Sequence, residues 1–191
     1  MAFITNASGN VISFAEYTDL LQKDQRLLEA NEIVVPEESG FLDVTEFLEN
    51  MCELSTNRIL LKMQASTWWR NYNSYVGSDW DINNLPQINP DRIDPNNTLG
   101  RQQQFTDMCV YYTFKEYLVP LIADFGSDES EGVAKIKYYD VKFNDIYSEL
   151  LAITDWYDAD GDGTVETSEK ATFIQQSNRR SRRRTTIARV R

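Results

Sequence analysis

The sequence predicts a mainly α-helical fold: a helical bundle with long central helices, a long irregular loop, and extended N- and C-terminal arms. Apolar residues recur at three- and four-residue steps over several long stretches of the 191 residues, as they do on one face of a helix. Capping signals precede two of these stretches. We therefore expect a single helical domain over residues 1–177 and a basic arm over residues 178–191.

The N-terminal third predicts two helices. Before them, two short apolar runs around a polar turn favour either a small hairpin or an extended arm over residues 3–12. Ser13 and Glu16 form a capping box, which predicts a helix over residues 14–31. A second capping signal, from Asp43 to Glu46, predicts a long amphipathic helix that reaches Trp69.

An aromatic cluster follows the second predicted helix. Its rings are expected either to close one end of the core or to form a contact surface for another subunit, since Trp and Tyr are favoured at interface centres. The cluster comprises Trp68, Trp69, Tyr72, Tyr75 and Trp80. Periodicity then disappears over residues 76–100, which predicts an irregular loop. Spaced apolar residues within it favour ordering by a partner.

The second half predicts two more long helices. A pattern that is apolar on most sides predicts a central helix over residues 101–125. Within it, Pro120 should introduce a kink or a break, because proline lacks a backbone donor. Another pattern predicts a helix over residues 129–157, and a short exit helix is expected over residues 170–176. Cys52 and Cys109 lie in helical apolar patterns and are expected to be buried thiols.

Between the last two helices, residues 158–169 match the pattern of an EF-hand-like calcium loop, D-x-D-x-D-G-x5-E. Five carboxylates in twelve residues would repel one another without a cation. Gly163 occupies the position of the sharp turn, and a last ligand that binds with both oxygens suits calcium better than magnesium. The expected ligands are Asp158, Asp160, Asp162, Thr164, Glu166 and Glu169. A single loop of this kind favours a structural calcium ion over a sensor.

Charge is strongly segregated along the chain. The net charge is −11, yet residues 178–191 hold seven Arg and no acid, which leaves −18 on the rest. Such an arm is expected either to stay solvated or to order on an acidic protein surface or on nucleic acid. Apolar residues between the arginines favour a protein. The expected partner-binding residues are Arg179, Arg180, Arg182, Arg183, Arg184, Ile187, Arg189, Val190 and Arg191.

Catalytic patterns are missing from the sequence. The chain has no His, the commonest general base, and it contains neither a phosphate-binding glycine motif nor a nucleophile elbow. We therefore expect a protein that is not an enzyme. The sequence also has no basic start followed by an apolar run and no long apolar window, so neither a secretory signal nor a membrane span is expected.

The order of these elements resembles the head-to-tail connector (adaptor) proteins of tailed bacteriophages. The resemblance covers residues 43–151: helices, then a long irregular loop, then RQQQFTDMCVYYTFKEYL, an acidic gap and GVAKIKYYDVKFNDIYSELLAI. It implies a structural virion protein that forms a ring, usually of twelve subunits, in the neck between portal and tail. The calcium loop is not a general mark of that family.

The resemblance also implies partners. The ring would bind the portal protein through the C-terminal arm and a tail or neck protein on its other side, with packaged DNA as a further, non-specific contact of the arm. Assembly would take place in the host cytoplasm, without a membrane. The alternative interpretation is a calcium-dependent protein-interaction module in which the single loop is the regulator.

Overall fold

The structure, a computed structural model, describes residues 3–30, 33–36, 39–69, 93–98, 100–122, 131–158 and 163–165. Of these residues, 70% are helical, and the only sheet among them has two strands. The prediction of a mainly α fold is therefore confirmed. No helix in the described ranges is both long and apolar enough to cross a membrane.

The chain divides into two compact units. The first, Met1–Leu60 with Arg101–Ala152, is called here the helical unit. The second, Leu61–Gly100 with Ile153–Arg191, is called the aromatic unit. The expectation of a single domain over residues 1–177 stays a prediction.

The N-terminus forms a hairpin, so the expected extended arm is wrong for these residues. Strands β1 (Ile4–Thr5) and β2 (Val11–Ser13) pair in antiparallel fashion. Asn6 Oδ1 closes the turn by accepting from the backbone N–H groups of Ser8 and Asn10, both at 2.9 Å. Phe3 then packs its ring 4.8 Å from that of Phe14. Because burial of these two rings outweighs the freedom of a loose terminus, the hairpin stays on the core.

Helix α1 (Tyr17–Ala30) begins one turn later than predicted. Ser13 is in β2, where its hydroxyl bonds the backbone of Ala15. The capping role falls to the next turn: Asp19 Oδ2 accepts from the N–H of Glu16 at 3.0 Å. The helix is kinked at Asp24, which has φ −147° and ψ 73°. Asp24 Oδ1 caps the following turn by accepting from Leu27 N.

Helix α2 (Val44–Gln64) starts where the second capping signal predicts it but ends before Trp69. Its buried side presents Leu48, Met51, Cys52, Ser55, Thr56 and Ile59, at the three- and four-residue steps of an amphipathic helix. Both cysteines, Cys52 and Cys109, are free and buried, as predicted.

The central helix is interrupted before its proline. Helix α3 (Gln102–Thr113) passes into a π-helical turn (Phe114–Leu118) and then into α4 (Val119–Ile122). Val119 N–H donates five residues back, to Phe114 O. Pro120 has no N–H to donate and its ring crowds the preceding turn, so the helix widens just before it. The predicted kink is thus a π-helical turn, and the predicted end near residue 125 lies beyond the described residues.

The last long helix is α5 (Glu131–Ile153), four residues shorter at its C-terminus than predicted. Thr154 has φ +60°, a left-handed conformation that stops a helix. Only Tyr139, Phe143 and Leu150 of α5 are buried. The expected exit helix at 170–176 and the C-terminal arm are outside the described residues.

In the helical unit, α3 lies between α2 and α5. On one side, Thr113 Oγ1 is 2.7 Å from Ser55 Oγ, and Cys109 Sγ donates to Cys52 O at 3.4 Å. Elsewhere on the helix surface, Tyr112 packs its ring 5.3 Å from that of Phe143. The Lys115 ammonium, in the π-helical turn, pairs with Asp140 of α5 at 2.8 Å.

Candidate cation-binding loop

The predicted calcium loop begins at a buried carboxylate. Asp158, its first residue, is 0% exposed. Its backbone N–H donates to Asn97 O at 2.9 Å. An ionised carboxylate is costly to bury without compensation. A side chain in this setting is therefore suited to hold a cation or several donors.

Gly163 closes the start of the loop. Its N–H donates to Asp158 Oδ2 at 2.8 Å, across five residues of chain. Its φ is +89°, a left-handed conformation that glycine adopts without strain. The sequence predicts a sharp turn at this position, and the backbone has one. Thr164, the expected carbonyl ligand, follows it and is exposed.

Four expected ligands cannot be placed relative to this turn: Asp160, Asp162, Glu166 and Glu169 lie outside the described residues. Among the residues that are described, no group of three or more His, Cys, Asp or Glu could hold a metal. The donor set in the sequence, carboxylates plus one carbonyl, suits calcium. Calcium at this loop therefore stays a prediction that the geometry of Asp158 and Gly163 supports.

A group of aromatic rings in the aromatic unit supports the start of the loop. Trp156 is 0% and Tyr157 is 2% exposed. The ring of Trp156 lies 4.6 Å from that of Trp68, and the ring of Tyr157 meets that of Trp69 edge-on at 5.3 Å. Because these two rings immediately precede Asp158, their burial fixes where the loop begins.

The segment of chain that precedes α3 also contacts the start of the loop. A 3₁₀ turn, Pro95–Asn97, is capped by Asp94, whose side chain accepts from Asn96 N. The Asp94 N–H donates to the Tyr157 hydroxyl at 3.4 Å. Burial is the main cause that raises the pKa of Tyr157, so this hydroxyl stays neutral. The end of the predicted irregular loop is therefore ordered in this turn over 93–98.

Gly100 makes a close approach that the sequence did not single out. A Cβ on this residue would come 2.3 Å from Asp155 O and 3.2 Å from Val165 Cγ2. Only glycine fits there. Sequence reasoning also missed Trp156, Tyr157 and Asp94 as parts of the site. The signal that could have indicated Trp156 and Tyr157 is their position directly before Asp158, the first aspartate of the loop. No comparable signal marks Asp94.

The second predicted site, the arginine arm, is beyond the described residues in its entirety. The same holds for Tyr72, Tyr75 and Trp80 of the predicted aromatic cluster. Its other two members, Trp68 and Trp69, do lie together, with ring centroids 6.1 Å apart. Of these two, Trp69 is buried, which favours the core over the interface interpretation for that ring.

No protein-family model matches this chain, and comparisons with curated proteins and with solved structures find no match either.

Proposed function

We propose that this chain is a structural virion protein, a head-to-tail connector subunit that assembles into a ring between the portal and the tail. The observation that supports it best is the construction of the helical unit. A central helix is flanked by two long helices whose outer sides carry exposed apolar residues, including Leu54 at 45%, Tyr138 at 53% and Val141 at 57%. Tyr138 and Val141 are three residues apart on α5 and so lie side by side, and contiguous exposed apolar surface is a feature of protein-interaction sites.

A further observation supports the proposal. The two segments that carry the resemblance to connectors contain α3 and α5, both helical, as that family requires. In this proposal the calcium loop has a structural role: it would hold the C-terminal part of the chain in the position that assembly needs.

The C-terminal arm is proposed to bind the portal protein. The arm carries seven arginines and the rest of the chain has a net charge of −18. The competing interpretation is therefore that the arm binds the acidic surface of its own subunit. Contacts between exposed charges within one subunit are weak and screened by salt. A partner that buries Ile187 and Val190 while pairing the arginines would gain apolar burial and bidentate hydrogen bonds together.

Truncation after Ser177 tests the arm. The full chain is expected to co-sediment with purified portal rings of its phage. The truncated chain should remain folded and bind calcium, but should fail to join the portal. Replacing the seven arginines with Gln should weaken joining mainly at low salt, whereas Ile187→Asp should weaken it at every salt concentration. Unchanged portal affinity after truncation would remove the arm from the proposal.

A second candidate is a calcium-dependent interaction module, favoured by the closure of Gly163 onto Asp158. Size-exclusion chromatography with light scattering, with calcium or with chelator, separates the two functions. A connector should self-associate or bind portal rings, and calcium should act on its stability. A regulator should instead stay monomeric and bind an apolar fluorescent probe only when calcium is present.

A further inference from the structure

Two different surfaces lie on opposite sides of the helical unit. Cys109 and Thr113 of α3 contact α2, whereas Tyr111 of α3 stacks on Tyr139 of α5 with ring centroids 6.1 Å apart. Tyr111 lies about 160–200° round the helix axis from the other two residues. Helices α2 and α5 therefore flank α3, and the outer side of each faces away from the other.

The outer side of α2 is acidic around an exposed apolar residue. Glu46 and Arg58 are exposed, and Glu49 and Glu53 are half-buried. Leu54, in the middle of this row, is 45% exposed. These five residues are called the α2 surface. Its first half is negative and its end is positive.

The outer side of α5 has the opposite charge order. The α5 surface consists of Lys137, Tyr138, Val141, Lys142, Asp145 and Glu149, all of them exposed. Its first half is positive and its second half is negative. The Lys142 ammonium lies 5.8 Å from the ring centroid of Tyr138, so the basic part of this surface also holds its largest apolar area.

The charged side chains of both surfaces form no salt bridge within the described part of the chain. The salt bridges found there join other residues, such as Lys23 with Asp107 and Lys115 with Asp140. The Lys142 ammonium contacts an aromatic ring, that of Tyr138. A partner could therefore pair these charges.

We propose that the α2 surface of one subunit binds the α5 surface of a second copy of this chain, with the two helices parallel. If Leu54 lies beside Val141, then Arg58, four residues on, lies beside Asp145, also four residues on. In the same alignment Glu49 and Glu53 face the turn that carries Lys137. Charge complementarity over both halves of the helices thus agrees with apolar contact at the centre.

Such a contact is heterologous, because each subunit uses two different surfaces. Heterologous contacts on opposite sides of a subunit build closed rings or open filaments. This inference rests on the proposed function, since it assigns the contact that would join neighbouring subunits of the ring. The proposed contact requires the α2 surface and the α5 surface to bind each other. Binding of the portal or the tail by these surfaces would not require this.

Charge reversal tests this recognition. Two variants of the full chain are needed, Glu49→Lys with Glu53→Lys on the α2 surface, and Lys137→Glu with Lys142→Glu on the α5 surface. In each variant alone, the first halves of the two surfaces would carry like charges where they meet, while the pairing of Arg58 with Asp145 would remain. Self-association of either variant should therefore weaken roughly tenfold or more. In a mixture, every contact between the two variants has opposite charges. The mixture should therefore assemble in alternation, as measured by sedimentation velocity and mass photometry.

Glu29→Lys is the control, because it makes the same kind of charge reversal at a single exposed position of α1, away from both surfaces. It should assemble like the unmodified chain, and circular dichroism should show that all variants stay folded. If the reversed variants assemble as well as the unmodified chain, or if the mixture stays unassembled, the surface assignment fails while the connector proposal stands. If the unmodified chain neither self-associates nor joins portal rings, both fail.

Discussion

In the helical unit, long helices meet through apolar side chains and a few small polar ones, whereas the described part of the aromatic unit is built from four large rings and little helix. Ser55, Thr113 and Cys109 at the α2–α3 contact are small, and their side chains form hydrogen bonds across the contact. Trp68, Trp69, Trp156 and Tyr157 instead fill space around short turns. We therefore predict that the first unit is stable through its own packing, and that the second is stabilised by the calcium ion that the sequence of residues 158–169 predicts.

The largest expected effect comes from Phe14 in the helical unit. Phe14 is 1% exposed and its ring lies 5.1 Å from that of Phe105. Phe14→Ala should lower the free energy of unfolding by about 3–5 kcal/mol, through lost burial and the cavity left behind. Urea unfolding followed by circular dichroism measures it. Leu42→Ala, at a residue 100% exposed, is the control and should change stability by about 0.5 kcal/mol or less. A cost for Phe14→Ala near that of the control would contradict the packing.

The second largest expected effect on the free energy of unfolding is that of calcium, acting on the aromatic unit. At about 100 times the dissociation constant, calcium should raise the free energy of unfolding by about 2.7 kcal/mol. Asp158→Asn or Glu169→Gln should abolish both this gain and the heat of binding. Glu29→Gln, an exposed carboxylate on α1, should leave both unchanged. No calorimetric heat at millimolar calcium, together with a melting temperature that chelator leaves unmoved, would refute the calcium site.

Gly100→Ala should have a smaller effect, in the same unit. The added Cβ would meet a backbone oxygen, that of Asp155, which cannot rotate away. The expected cost is about 1–3 kcal/mol. Because Trp156 adjoins the contact, its fluorescence should change as well.

Gly9→Ala provides the control for this substitution. Unlike Gly100, Gly9 has a positive φ, +80°, and its Cβ would meet nothing within 4 Å. It should cost about 1 kcal/mol through backbone strain alone and leave the tryptophan fluorescence unchanged. Equal fluorescence changes in the two variants would show that the close approach at Gly100 is not the cause.

The smallest expected effect is on the pH dependence of the helical unit. Asp19 is 4% exposed, and its Oδ1 has no hydrogen-bond partner among the described residues. Burial is the main cause that raises the pKa of this carboxyl above its ordinary 3.8. The folded state therefore binds the proton more tightly than the unfolded chain. The stability that this contributes is present at low pH and is lost as pH rises through the folded pKa.

Asp19→Asn should remove this loss while keeping an acceptor for Glu16 N–H. Its stability relative to the unmodified chain should therefore grow as pH rises from 3.8 towards neutrality, measured by urea unfolding at several pH values. Asp19→Ala loses the acceptor and should be less stable than Asp19→Asn throughout. A difference between Asp19→Asn and the unmodified chain that does not vary with pH would refute the burial effect.

The sequence by itself determined where helix was possible. The apolar steps of α2 and α5 specify their buried faces, because a helix must turn one stripe towards its neighbours. It also determined the ligand spacing of residues 158–169 and the glycine turn at Gly163, since both depend on neighbours along the chain. For the same reason the capping signal at Asp43 predicted the start of α2 correctly.

Only the tertiary structure decided which local signals were used. The capping box at Ser13 was not used to begin a helix, because Ser13 lies in β2. The Phe14 N–H instead donates to Thr56 Oγ1, 42 residues away, at 3.0 Å. The close approach of Gly100 to Asp155 and the hydrogen bond from the Asp158 N–H to Asn97 O join residues more than 50 positions apart along the chain. Local propensities differ by about 1 kcal/mol or less for most residues, whereas burying one large ring stabilises by about 1.5–3 kcal/mol. Where the two disagreed in this protein, packing decided the conformation.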